Sequence, residues 1–234
     1  MIARYEELDW QRTRMGELML RRRADPATSE MIYEVKLEDE YLMSSLFTVA
    51  EEELATLGLA AATGDHLNVL VGGLGLGYTA VTALADARVA RLEVIDALLA
   101  VIGWHERKLL PVSAQLVDDP RTTLTHDDFF AVMRQEPDAD ARRHDAILLD
   151  VDHSPRHTLD PSHADLYTEA GLTALARHLA DHGVFALWSD DPPDEEFLNT
   201  LGAIFDDSRA HVVDFDNRLT GGVSSNTVYV GVRR

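Results

Sequence analysis

The chain has 234 residues, 46% of them hydrophobic and 26% charged, which suits one packed domain with a small extension and disfavours disorder. It contains no cysteine, so disulfide scaffolds, zinc–thiolate sites and thiol nucleophiles are excluded. With 41 acidic against 21 basic residues the formal net charge is −20, which serves solubility, repels phosphate backbones and so disfavours nucleic-acid binding, and suits a cationic substrate such as a polyamine. Residues 1–9 hold Glu6, Glu7 and Asp9 and no long apolar run; they read as neither signal peptide nor membrane span, and the cytoplasm is the expected compartment.

In chain order, residues 16–22 and 31–37 read as strands with Asp25-Pro26 as turn chemistry between them, a candidate β-hairpin. Residues 46–59 read as a helix with Leu46, Val49, Ala50 and Leu54 on one face and Glu51 to Glu53 crossing the other. Strand and helix then alternate. Strands are expected at 66–71, 91–95, 121–125, 145–149 and 184–188, and helices at 79–85, 97–110, a short stretch after Asp128, and 166–179. Pro192-Pro193-Asp194-Glu195 is a helix-start signature, because proline fits the first turn and acids complement the dipole there. Residues 212–215 and 227–232 close the chain as strands, with Gly221-Gly222 in the turn between them. Such alternation predicts a mostly parallel sheet with helices on both faces, and the short last connection predicts an antiparallel final hairpin. The expected division is a small β-hairpin region at 1–45 and a Rossmann-like domain at 46–234.

The strongest local signal is Gly72-Gly73-Leu74-Gly75-Leu76-Gly77, which follows an apolar strand and precedes a helix. Glycines allow a sharp turn and close approach of a ligand, and the helix start offers free N–H groups. Asp96 ends the second strand of the alternation, where a carboxylate accepts from ribose hydroxyls or caps the next helix. Asp127 follows the third strand and has the same two readings, a cofactor edge or a cap. Asp150-Val151-Asp152-His153 follows the fourth. Asp96, Asp127 and Asp150 are therefore expected at one edge of the sheet, where clustered acids raise one another's proton affinity and one can serve as a base. His153, His157 and His163 among acids match no compact metal signature, and no metal is expected. Trp104, Tyr167 and Trp188 are candidates for a pocket lining, although aromatics so spaced more often pack a core.

These residues carry a resemblance. The glycine run, Asp96, Asp119-Pro120-Arg121, the stretch Asp145 to Asp150, Leu166-Tyr167 and the stretch Gly183 to Ser189 resemble, in order and spacing, the spermidine synthase family of polyamine aminopropyltransferases. The resemblance implies a class I methyltransferase-type sheet behind a small amino-terminal β-structure, a role in polyamine biosynthesis and a homodimer. It implies decarboxylated S-adenosylmethionine as donor and a diamine such as putrescine as acceptor; methyl transfer from S-adenosylmethionine to an unknown small acceptor, or a non-catalytic binding protein on the same fold, are the alternatives. It implies Asp150 as the proton acceptor, Gly72, Gly73, Gly75, Gly77, Asp96 and Asp127 around the donor, and Asp152, His153 and Tyr167 toward the acceptor. The chain departs from the family pattern at four places. Gly75 stands where the family has an aspartate, and Val94 where it has a glutamate. Tyr41 to Ser45 lacks its Tyr-His-Glu signature, and the second carboxylate of the fourth-strand tip is displaced to Asp152.

Overall fold

The computed structural model describes residues 5–13, 15–26 and 28–234; the part of the amino-terminal reading that concerns residues 1–4 lies outside them. The chain opens with β1 (Glu6–Thr13), β2 (Gly16–Ala24), β3 (Met31–Leu37) and β4 (Glu40–Ser44), paired in that order as a four-stranded antiparallel sheet. The expected hairpin is β2–β3, in register from Leu18 opposite Leu37 to Ala24 opposite Met31. Its two flanking strands are an addition to the sequence reading. β1 is mostly charged or polar and held by pairs such as Arg22 with Glu6, so it shows no apolar alternation to read.

The remaining elements are α1 (Val49–Ala61), β5 (Leu67–Gly72), α2 (Tyr78–Ala85), β6 (Val89–Asp96), α3 (Leu99–Glu106), α4 (Ser113–Val117), β7 (Thr122–His126), α5 (Phe129–Arg134) and β8 (His144–Leu149). A short 3-10 helix (Pro161–Tyr167), α6 (Glu169–Ala176), β9 (Leu179–Ser189), α7 (Glu195–Ile204), β10 (Phe205–Asn217) and β11 (Gly222–Arg233) complete the chain. Seven strands form one sheet in the order β10-β11-β9-β8-β5-β6-β7. β5 to β9 run parallel, and β11 lies antiparallel between β9 and β10. The mostly parallel sheet with an antiparallel last hairpin is therefore as expected. Every residue of β5 is buried, as a central parallel strand covered on both faces requires. Chain order reverses at β5, with β6 on one side and β8 on the other, which opens a crevice at the strand tips.

Two apolar clusters fill the faces. One includes α1, α2 and α3 with Val69, Val71, Val94 and Leu148, and it also takes Leu18, Leu20 and Val35 from the small sheet. The other includes Phe129, Leu149, Phe185, Phe197 and Tyr229 under α5, α6 and α7. The small sheet is further tied to α3 through Asp9, which accepts from Trp104 Nε1 at 2.6 Å and Arg107 at 2.7 Å. Trp104 is fully buried and packs the core.

The helix expected at 97–110 ends at Glu106, where Lys108 takes a positive φ of 56°, and resumes as α4. The helix expected at 166–179 starts late. Thr168 accepts from the Gly171 N–H and opens α6. Asp194 caps α7 where the Pro-Pro-Asp-Glu signature places it, accepting from the Glu196 and Phe197 N–H groups. Among the described residues no helix is long and apolar enough to cross a membrane.

Candidate active site

β5 runs into the glycine turn, which folds back over the tips of its neighbours. The Gly73 N–H donates to Ile95 O at 2.9 Å, and the Gly72 carbonyl accepts from the Asp150 N–H at 2.8 Å. Gly73 has φ of 92°, and a side chain there would place its Cβ 2.0 Å from the Asp150 carbonyl oxygen. Glycine is thus required for the turn to lie against the β8 tip. Gly77, also at positive φ, lies against His105, Leu116 and Val112. Sequence reading passed over His105. It is fully buried on α3, with Nε2 3.1 Å from Gly75 O and Nδ1 3.2 Å from Ser113 Oγ. The carbonyl accepts only, so Nε2 carries the proton and Nδ1 accepts from Ser113. Burial holds the imidazole below its ordinary value, hence neutral, and the ring fixes the turn from behind.

Asp96 stands at the end of β6. One carboxylate oxygen accepts from the Leu74 N–H at 2.9 Å and the other from the Leu98 N–H at 2.7 Å. It therefore anchors the glycine turn and opens α3 together. Burial pushes its carboxyl up, and the amides of Leu98, Leu74 and Gly75 oppose that. Glu93 faces the other side of the sheet and accepts from Thr125 Oγ1 at 2.8 Å. The apolar residues Leu92 and Val94 of β6 and Ala146 and Leu148 of β8 belong to one cluster, and Asp96 and Asp150 continue those two alternations. Both carboxylates thus belong to one face of the sheet.

Asp150 accepts from Thr79 Oγ1 at 2.7 Å, and the same hydroxyl lies 3.2 Å from the Glu51 carbonyl on α1. Burial pushes the Asp150 carboxyl up to about 6, with the Thr79 hydrogen bond opposing. Glu51 is half-buried beside this group. Burial, followed by the charge of Asp150, pushes it up to about 8. The acids acting on it are Asp150, Glu52 and Asp190. Asp190, just past β9, is held by Asn226 Nδ2 at 2.7 Å and donates its N–H to His153 O at 2.7 Å. Glu51 was assigned to the outer helix face in the sequence reading; the signal for it is the inward stripe Glu51, Leu54, Ala55 and Gly58, at spacings of three, four and seven.

Asp127 is exposed and, among the described residues, accepts from the N–H of Asp128; Asp128 takes the capping role, accepting from Ala131 N–H at 3.1 Å. Asp152 is 1% exposed and accepts from Leu159 N–H, His163 Nδ1 and Tyr167 Oη, all within 2.8 Å. His163 also stacks on Phe130. Asp152 and Tyr167 therefore brace the loop after β8 from inside. His153 is half-buried beside them. Trp188 packs against the apolar cluster on the α1 side of the sheet, one residue past the Leu149–Leu187 pair of β8 and β9, and among the described residues its buried Nε1–H has no partner. His157 Nδ1 lies 2.9 Å from Asp191. Among the described residues no group of three or more His, Asp or Glu side chains is placed to hold a metal ion. A cleft of about 920 Å³ lies beyond β9, between the 154–157 loop and the start of α7; the glycine turn, Asp96 and Asp150 are not in its walls.

What the solved structures share with this chain is its fold. It matches human methyltransferase-like protein 13 in complex with SAH at a TM-score of 0.58 and 17% identity, over 79% of this chain and 82% of that one. It is, more closely, the fold of spermidine synthases. A spermidine synthase in complex with the transition-state analogue AdoDATO matches at a TM-score of 0.76 and 17% identity, over 97% of this chain and 74% of that one. The Thermotoga maritima spermidine synthase matches at 0.74 and 18%, over 97% and 73%. No family model and no curated protein sequence matches the chain.

Proposed function

We propose that the protein is a spermidine synthase-like transferase, moving an aminopropyl group from decarboxylated S-adenosylmethionine to a diamine. The observation that carries this reading is Asp150. It is half-buried at the β8 tip against the glycine turn, bound by the Thr79 hydroxyl, and has the acid Glu51 beside it. Such surroundings suit positively charged amines and disfavour a donor that keeps its carboxylate, because like charges at low dielectric repel strongly.

The residues present fit a sulfonium nucleoside. The two Asp96 oxygens accept from the amides of Leu74, Leu98 and Gly75, which leaves one lone pair for a ribose hydroxyl. Asp127 keeps its carboxylate open to an adenine amino group, and the first turn of α2 leaves N–H groups that the helix itself does not pair. His105 and Asp96 hold the turn in shape. Asp150 takes a proton from the acceptor ammonium. The freed nitrogen bonds to the carbon beside sulfur, the carbon–sulfur electrons pass to sulfur, and a neutral thioether leaves. The sulfonium supplies the activation, and the protein supplies position and one base.

Methyl transfer is the second reading, favoured by the departures at Tyr41 to Ser45 and at Val94. Calorimetry separates the two. Decarboxylated S-adenosylmethionine should bind at least about tenfold tighter than the carboxylated donor, a difference of about 1.4 kcal/mol. The reverse preference supports methyl transfer, and binding of neither donor nor of methylthioadenosine contradicts both.

A further inference from the structure

We propose that Glu51 is the second acidic group of this site: it stores a proton beside Asp150 in the free protein and releases it when a cationic amine enters. The inference rests on the functional reading above for the identity of the amine, but its first half is a property of the free protein.

The geometry is local. Glu51 lies in the first turn of α1, and its carbonyl shares the Thr79 hydroxyl with the Asp150 carboxylate. The groups that face it come from every neighbouring element: Asp150 from the β8 tip, Asp190 from the β9 tip, Tyr78 from α2 and Glu52 from its own helix. The charges among them are negative. The helix gives Glu51 a favourable place for an anion at its first turn, but that gain is a fraction of the cost of a second buried anion beside Asp150. A proton on Glu51 removes that cost. A substrate ammonium removes it in another way, by supplying the positive charge itself. Binding then trades a proton to solvent for an ammonium, Glu51 becomes a carboxylate, and Asp150 remains ionised to accept the proton of the reacting amine.

Glu51 is pushed up to about 8 in the folded chain and returns to the ordinary glutamate range on unfolding. The folded state therefore binds more protons than the unfolded state between those values, and wild-type stability falls as pH rises through that window. Glu51→Gln has no such titration. Its melting temperature relative to wild type should rise from about pH 5 to about pH 8 and then level off. Glu52→Gln, an exposed neighbour on the same turn whose charge adds to the shift of Glu51, should keep the wild-type slope, moved slightly to lower pH. Asp150→Asn, a second variant, removes the facing charge and should move the wild-type slope to lower pH. Wild-type and Glu51→Gln curves that stay parallel from pH 5 to 9, or an Asp150→Asn slope that does not move, overturn the proposal.

The second half is read by calorimetry of putrescine binding, with methylthioadenosine present, in two buffers of different ionisation enthalpy. Wild type should release close to one proton per putrescine, and Glu51→Gln should release none and bind more weakly. A heat that is the same in both buffers for wild type overturns the release step. Failure of wild type to bind methylthioadenosine or putrescine defeats the functional reading, and the release step with it, while leaving the stability comparison to decide whether Glu51 stores a proton.

Discussion

Asp150→Asn is expected to lower turnover by about 10²–10⁴-fold while donor affinity stays within about twofold, because a general base contributes that much to the chemical step and little to donor binding. The amide keeps the shape of the carboxylate and an oxygen for the Thr79 hydroxyl, but it has no basic oxygen for an ammonium proton. Wild-type turnover should also climb as pH rises through about 6, where the buried carboxyl ionises, and Asp150→Asn should lack that limb. The variant is not expected to be less stable at neutral pH. An acid raised on folding weakens the folded state above its ordinary range, and the amide escapes that cost. Steady-state kinetics with calorimetric donor binding and thermal melts on the same samples check all three points. Turnover unchanged within a few-fold rules Asp150 out as the base.

Gly73→Ala is expected to lose about 3 kcal/mol of stability or more, the sum of a Cβ forced against the Asp150 carbonyl and a left-handed backbone that alanine disfavours. The damage is at the junction of β5 and β8, so donor binding should disappear with it. Gly103→Ala is the counterpart. A Cβ there meets nothing within 4 Å and α3 gains a better helix former, so stability should rise by about 0.5–1 kcal/mol. Urea denaturation of the two variants measures both signs. A Gly73→Ala protein as stable as wild type means that the turn does not lie against the β8 tip.

Local sequence carried the large sheet because its strands are short apolar runs bounded by glycine, proline or acids, and its helices alternate with them. The run at 67–72, the glycines after it and the acids at the strand ends gave both the parallel order and the edge where Asp96 and Asp150 share a face. Elements stabilised by pairing rather than by burial were less legible. β1 carries its apolar residues irregularly, and Trp10 is 46% exposed, so nothing short of the pairing partner reveals the strand. The acid-rich start of α1 was legible only in part. Three successive glutamates look alike until the sheet beneath shows that Glu51 shares a face with Leu54, Ala55 and Gly58, two of which are too small to mark an apolar stripe. His105 lies inside an apolar helix, and its role depends on a carbonyl 30 residues away. Asp152 illustrates a different limit: a carboxylate at a strand tip looks available in sequence, and only the fold shows Leu159, His163 and Tyr167 already bound to it.

In the proposed site the turn at Gly72–Gly77 and the carboxylates of Asp96 and Asp150 surround one nucleoside. A crystal structure of the protein soaked with methylthioadenosine tests this directly. The ribose hydroxyls should meet Asp96, with the sulfur directed toward Asp150. Nucleoside density in the cleft beyond β9, or on the opposite side of the sheet, would contradict the account.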